Sequence, residues 1–178
     1  GGLRNTFTYK RWGMSFLFDF RNGGDVYNGT FARLNNLGRT EESADRERSF
    51  TIPGVYQEGT IINGVDVSGE QNKTPVSART YWRSYNGDAG GASEQFVETV
   101  NWVRLRDLSL NYSIPVQDSK VFNSINLSFT ARNLWLSTNY KGVDPETSLT
   151  GAGSNIGGFD YFNNPGSKSF MFGASFSF

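Results

Sequence analysis

The stretch that decides the fold is SFMFGASFSF, residues 169–178, in which apolar and small or polar side chains alternate. Its even-numbered positions carry four phenylalanines and an alanine, whereas its odd-numbered positions carry three serines, a glycine and a methionine. Successive side chains of a strand point to opposite faces, so one face of this strand is aromatic. Such a strand, ending on an aromatic residue, is typical of the last strand of a bacterial outer-membrane β-barrel with its aromatic face in lipid. A soluble β-sandwich has the same period and remains an alternative.

Three further segments show the same alternation, near residues 8–21, 102–114 and 125–136. Each of the four segments has about the 9–11 residues that a tilted strand needs to cross a bilayer. The sequence therefore predicts an all-β fold with four antiparallel transmembrane strands. Four strands cannot enclose a lumen, so we expect them to form one side of a larger barrel.

The connections between these strands differ greatly in length. Residues 115–124 form a short turn, whereas residues 22–101 and 142–168 form long loops. Outer-membrane barrels have short periplasmic turns and long extracellular loops, so we expect the short turn in the periplasm and the long loops outside. The chain begins with Gly1 and shows no signal sequence, and we therefore expect it to be the carboxyl-terminal part of a longer protein.

Composition excludes several classes of function. The 17 basic residues balance the 17 acidic ones, so no net field points to nucleic acid. The chain has neither histidine nor cysteine, which rules out Ser-His-Asp and Cys-His catalytic sites and thiolate metal sites within it. The carboxylate pairs Asp144–Glu146 and Glu41–Glu42 lie in loops, and nothing in the sequence indicates that they are buried. We predict no enzyme activity, no metal site and no cofactor.

Aromatic residues make up 15% of a chain whose mean hydropathy is −0.48. Trp102 begins one predicted strand, Trp135 lies at the end of the next, and Tyr140 follows it. Tryptophan and tyrosine favour the membrane–water boundary because their rings are amphipathic. The three residues are therefore predicted to lie in an aromatic belt at the outer interface.

The loop 22–101 also carries many aromatics, among them Tyr56, Tyr81, Trp82 and Tyr85. So many rings are unusual in a merely solvated tether. They are expected to pack into a small core of the loop, to contact a partner above the membrane, or to stack on substrate.

Several strings resemble SusC-like TonB-dependent transporters of Bacteroidota. NWVRLRDLSLNYSIP at 101–115 is similar to a strand motif of that family, and FDFRNGGDVYNGT at 18–30 is similar to its Gly-Gly-x-x-Tyr-Asn segment. ARNL at 131–134, followed by YKGVDPE at 140–146, resembles the penultimate strand and the start of the next loop. Gly173, Phe176 and Phe178 match the spacing of the barrel assembly signal, in which Met171 replaces the usual polar residue.

The resemblance implies a barrel of about 22 strands that is plugged by an amino-terminal domain. It implies import of oligosaccharides or peptides, driven by TonB and assisted by a SusD-like surface lipoprotein that acts as a lid. Outer-membrane lipid and the barrel assembly machinery are further implied partners. No substrate-binding residue can be transferred by motif. A TonB-dependent siderophore or corrinoid receptor without a lid, and a non-transport soluble β-sandwich binding protein, remain alternative interpretations.

Overall fold

The computed structural model describes residues 1–86, 93–116, 121–151 and 156–178. In chain order its strands are β1 (Gly2–Tyr9), β2 (Trp12–Arg21), β3 (Asp25–Asn28), β4 (Ser49–Thr51), β5 (Ile61–Ile62), β6 (Val65–Asp66), β7 (Pro75–Ser77), β8 (Val97–Thr99), β9 (Trp102–Ile114), β10 (Ser124–Thr138), β11 (Phe159–Asp160) and β12 (Ser169–Ser177). The helical segments are α1 (Gly29–Asn36), α2 (Ala78–Thr80), a π-helical turn at Tyr81–Tyr85 and a 3-10 turn at Ser93–Phe96. In the described part of the chain, no helix has the length and apolarity needed to cross a membrane.

Five long strands form one sheet in the order β1-β2-β9-β10-β12, and each strand is antiparallel to its neighbours. The predicted all-β class is confirmed. Strand β9 has the predicted bounds, and β10 and β12 differ from the predicted ones by one or two residues at their ends. Residues 117–120 of the predicted short turn and residues 152–155 of the second long loop lie outside the described part.

The sheet contains one strand more than the sequence predicted. The segment near 8–21 is not a single strand, because Thr8 and Tyr9 end β1 and a two-residue turn at Lys10 and Arg11 leads into β2. Lys10 adopts a positive φ of 54°, and in such turns the residue with positive φ is usually glycine or asparagine. Since neither residue is a usual turn former, the sequence pattern alone does not separate Thr8 and Tyr9 from β2.

The register divides the sheet into two faces. On one face Trp12 pairs with Tyr112, and Phe129 pairs with both Leu110 and Phe172. On the other face the paired side chains are small or polar, as in the Ser15–Ser109–Thr130 row. The alternation along each strand therefore aligns across the sheet into an apolar face and a polar face.

A bulge keeps the faces aligned where the sequence changes phase. Leu108 and Leu110 occupy even positions of β9, whereas Val103 and Leu105 occupy odd ones. The register of β9 against β2 shifts between Leu17 and Phe18. As a result, Leu105 of β9 pairs on the apolar face with Phe18 of β2 and with Trp135 of β10. The extra residue of a bulge accounts for this change.

Residues 27–98 and 159–162 form a second compact unit of short elements. Asn28 caps helix α1, because its side-chain oxygen accepts a hydrogen bond of 3.0 Å from the Phe31 amide. Strand β4 pairs with β7 and β5 pairs with β6, both antiparallel. In this unit β11 pairs with β3 in parallel. Residues 87–92 of the long loop lie outside the described part.

Candidate functional site

The apolar face of the main sheet presents large exposed side chains. Phe172 is 82% exposed and Trp135 is 50% exposed, and Phe7 and Trp12 are also more than half exposed. Several of these rings contact one another across strands, for example Trp12 and Tyr112, whose centroids are 4.5 Å apart. Because the exposed side chains lie on a continuous face, they form a surface suited to an apolar environment.

The three predicted belt aromatics do not share this face. Trp135 lies on it, but Trp102 pairs with Arg21 and Thr138 on the polar face and is buried. Tyr140 packs with Trp102 in a small core that includes Val26 and Val100. The expected common belt must therefore be corrected, because the bulge in β9 moves Trp102 to the opposite face from Trp135. An interfacial role stays a prediction for Trp135 alone.

Beside Trp102, the polar face carries a network of ion pairs. The Arg104 guanidinium lies 2.6 Å from Asp144 Oδ1, and its Nε lies 2.7 Å from Glu146 Oε2, although the latter is not aligned as a hydrogen bond. Arg106 contacts Glu146 and Asp19 at 2.7 Å each. Both guanidinium centres also lie 6.0 Å from the Trp102 ring, within reach of a cation–π interaction.

This network connects the start of a long loop to the sheet. Asp144 Oδ1 accepts a hydrogen bond from the Glu146 amide at 3.0 Å, and the Asp144 carbonyl accepts one from the Thr147 hydroxyl. The Asp144 side chain is only 8% exposed. Nothing in the local sequence indicates this burial, because the partners Arg104 and Asp144 lie 40 residues apart. The carboxylates that looked like a loop pair are the partners of two strand arginines.

Gly173 and Phe176 of the predicted assembly residues lie in the second half of β12, and Phe178 directly follows the strand. Gly173 pairs with Ser128, and a Cβ built on Gly173 would lie 2.6 Å from Ser128 Oγ, so the position favours glycine. The Phe176 and Phe178 rings both contact Phe122, with centroids 5.8 and 5.1 Å apart. The two phenylalanines thus share one neighbour, while Gly173 lies apart from them. Their part in barrel assembly stays a prediction.

Three of the four loop aromatics pack together. Tyr81 stacks on Phe50 with centroids 4.3 Å apart and also contacts Trp82 and Tyr85. Trp82 is buried, and burial raises the pKa of the Tyr81 hydroxyl. This arrangement is the small loop core that was one of the sequence-based expectations.

Tyr56 lies outside that cluster. Its hydroxyl is hydrogen-bonded to the Thr74 hydroxyl at 3.0 Å and accepts a bond of 2.9 Å from the Lys73 amide. These two bonds lower the pKa of the Tyr56 hydroxyl. The ring closes a local turn of the loop, and the sequence did not distinguish it from the clustered aromatics.

Comparison with known proteins points to the same type of protein as the sequence motifs do. No family model matches the chain. Two receptors of Formosa agariphila are similar to it: TonB-dependent receptor P39 is 26% identical over 85% of this chain, and TonB-dependent receptor P3 is 24% identical over 99% of it. The RagAB peptide importer in its closed-closed state covers the whole chain with a TM-score of 0.58 and 19% identity. In the open-open state the TM-score is 0.54 and the identity 20%. The resemblance to SusC-like TonB-dependent transporters is confirmed.

The chain spans only 13% and 16% of the lengths of the two TonB-dependent receptors, and 17% of the RagAB chain. The likeness to RagAB shows the fold, which is that of part of a TonB-dependent barrel. Both curated relatives are named as receptors and neither as an enzyme. In the described ranges, no group of acidic side chains is arranged to hold a metal ion.

Proposed function

We propose that this chain forms part of the wall of an outer-membrane barrel that imports oligosaccharides or peptides with energy from TonB. The observation that carries the proposal is the apolar face shared by five strands, which the bulge in β9 keeps on one side of the sheet. A barrel wall needs this arrangement, with apolar side chains toward lipid and polar ones toward the lumen. The similarity to TonB-dependent receptors supports the type of barrel.

A soluble β-sandwich accounts less well for the same sheet. A sandwich covers its apolar face with a second sheet about 10 Å away. Here apolar side chains of that face on three different strands, among them Trp12, Trp135 and Phe172, are at least half exposed. The backbone edges of β1 and β12 would in turn be paired by neighbouring strands of a closed barrel, which leaves no open edge in lipid.

Two measurements test membrane location and transport. The full-length protein should sediment with outer membranes and need detergent for extraction. A deletion strain should lose growth on the imported oligosaccharide or peptide while it keeps growth on the free monomer. A strain that instead lost siderophore or corrinoid uptake would support a receptor without a lid. Extraction without detergent would contradict the barrel proposal.

The orientation of the wall is part of the same proposal. The long connections 22–101 and 139–168 leave one end of the sheet, and the short turn at Lys10–Arg11 lies at the other end. We place the long connections outside the cell. The chain contains no cysteine, so Glu58→Cys and Arg11→Cys each introduce a single thiol into it. An impermeant maleimide should label position 58 on whole cells and position 11 only after the outer membrane is opened. The reverse pattern would mean an inverted wall.

A SusD-like lipoprotein lid is the partner that we propose for the second unit. Around the β5–β6 hairpin, Val55, Ile61 and Val65 are each more than 60% exposed and are the apolar side chains available for contact. The Tyr81 cluster and Tyr56 are already engaged within the loop. The double change Ile61→Asp and Val65→Asp should lower co-purification of the lid, whereas Glu58→Gln and Glu70→Gln should not. Unchanged recovery of the lid with the aspartate variant would remove the hairpin from the interface.

A further inference from the structure

The second unit contains a cleft of about 530 Å³ whose charge is unusual for this chain. Four arginines line it: Arg33, Arg46, Arg79 and Arg83. No aspartate or glutamate is found among the described residues of its lining, although the chain has equal numbers of acidic and basic residues. A concave surface with several guanidinium groups and no carboxylate attracts anions.

Local structure brings these cations to one place. Arg33 lies in α1, and the cleft residue Leu37 directly follows that helix, four positions later. Arg79 and Arg83 are likewise four positions apart, on the helical segment that begins at α2. Side chains at this spacing lie on the same side of a helix. The Asn36 side-chain amide donates to the Arg83 carbonyl at 3.4 Å and links the two segments.

Two of the arginines are available to a ligand. Arg79 and Arg83 are exposed, and neither forms an ion pair with any residue that the structure describes. Each guanidinium offers a planar set of donors that matches the two oxygens of a carboxylate or a sulfate.

The cleft also has a partly apolar wall. Trp82, which is buried, contributes its ring to this wall, and Leu37 and Ala78 complete the apolar part of the lining. Apolar surface beside several cations is the combination found in pockets for small charged ligands.

We propose that this cleft binds a small ligand that carries more than one oxyanion group, carboxylate or sulfate. Arg79 and Arg83 can each pair with one oxyanion group, so the two together favour a ligand with more than one such group. Short acidic peptides and acidic oligosaccharides both present this chemistry. The further step, that the bound compound is also the imported one, rests on the proposed function. The binding itself does not rest on it.

The test measures binding to the full-length protein in detergent by calorimetry. The probes are tri-glutamate and tri-galacturonate, with tri-glutamine and a neutral galactose trimer as uncharged counterparts. At least one anionic probe should bind at least about tenfold more tightly than its neutral counterpart, and higher salt should weaken it. Whichever anionic probe binds identifies the peptide or the sugar as the source. Binding of neither anionic probe above its neutral counterpart would overturn the proposal.

Variants locate the site. The double change Arg79→Gln and Arg83→Gln should weaken the anionic probe at least about tenfold. The control pair Arg39→Gln and Lys73→Gln removes the same charge from exposed residues outside the cleft lining and should leave affinity within about twofold. Equal losses of affinity in the two double variants would show a diffuse charge effect and contradict a site in the cleft. Uptake is measured separately, so lost import with retained binding would reject the transport proposal but not the cleft.

Discussion

The Arg104 guanidinium lies 2.6 Å from the Asp144 carboxylate, and each of the two side chains is less than 10% exposed. The pair joins β9 to the first turn of the loop that follows β10, across 40 positions of sequence. Glu146 extends the connection to Arg106, which also holds Asp19 of β2. Two of the motifs that carry the family resemblance, at 101–115 and 140–146, are therefore in direct contact.

Removal of one member of this pair should loosen the loop. Arg104→Met leaves the Asp144 charge buried without its partner, and breaking a buried pair costs about 3–5 kcal/mol. We expect faster proteolysis within residues 139–168 and a lower unfolding midpoint in urea. The double variant Arg104→Met and Asp144→Leu removes both charges and should recover much of the loss.

An exposed pair on the same sheet provides the control. Arg132 lies 3.7 Å from Asp107, and its side chain is 60% exposed. Since such pairs contribute about 0–1 kcal/mol, Arg132→Gln should leave both proteolysis and the urea midpoint almost unchanged. Equal effects of Arg104→Met and Arg132→Gln would contradict a specific anchoring role for Arg104.

The two faces of β10 should differ sharply in their tolerance of charge. Phe129 lies on the apolar face between Leu110 and Phe172, and its neighbour Thr130 lies on the polar face. An arginine near the middle of the lipid-facing surface costs about 2–4 kcal/mol. Phe129→Arg should therefore reduce the fraction that folds into lipid vesicles, whereas Thr130→Arg should fold nearly as well as the parent. Better folding of Phe129→Arg than of Thr130→Arg would invert our assignment of the faces.

The sequence was sufficient to assign the two faces of a strand where the strand keeps one alternating pattern along its whole length. Strand β12 alternates without interruption, so its faces could be read directly. The alternation fails at β1, where Asn5 lies on the apolar face opposite Phe16 and an ordinary Lys10–Arg11 pair makes the turn. It fails again at Trp102, because a bulge changes the face without any glycine or proline to mark it. The Arg104–Asp144 pair depends on which strands become neighbours, and local patterns do not contain that information.

Trp102 and Trp135 should contribute very differently to stability. Trp102 is buried in the small core with Val100 and Tyr140, whereas Trp135 is half exposed on the apolar face. Loss of a buried aromatic ring costs about 3–5 kcal/mol. Trp102→Ala should thus lower the urea midpoint of the refolded protein much more than Trp135→Ala does. Similar midpoints for the two variants would mean that the small core contributes little.

Phe178 should matter more for assembly than for transport. Its ring contacts Phe122, and the neighbouring Phe176 ring contacts the same residue. Deletion of Phe178 should lower the amount of heat-modifiable, folded barrel in outer membranes while uptake per folded barrel stays constant. Phe122→Ala removes the shared neighbour without altering β12 and tests whether the packing alone matters. Normal barrel levels with lost uptake would indicate a substrate role instead.

Gly173 tests whether the strand is constrained by packing or by recognition during assembly. A Cβ at this position would lie 2.6 Å from Ser128 Oγ on the neighbouring strand. Because the serine hydroxyl can rotate away, Gly173→Ala should be mild, whereas the branched side chain of Gly173→Val should lower the folded fraction clearly. If packing is the cause, the added change Ser128→Gly should restore folding of the valine variant. If the assembly machinery reads the glycine itself, Ser128→Gly should restore folding of the purified protein into vesicles but not its assembly in cells. Failure of Ser128→Gly in both settings would show that neither the Ser128 contact nor recognition alone explains the glycine.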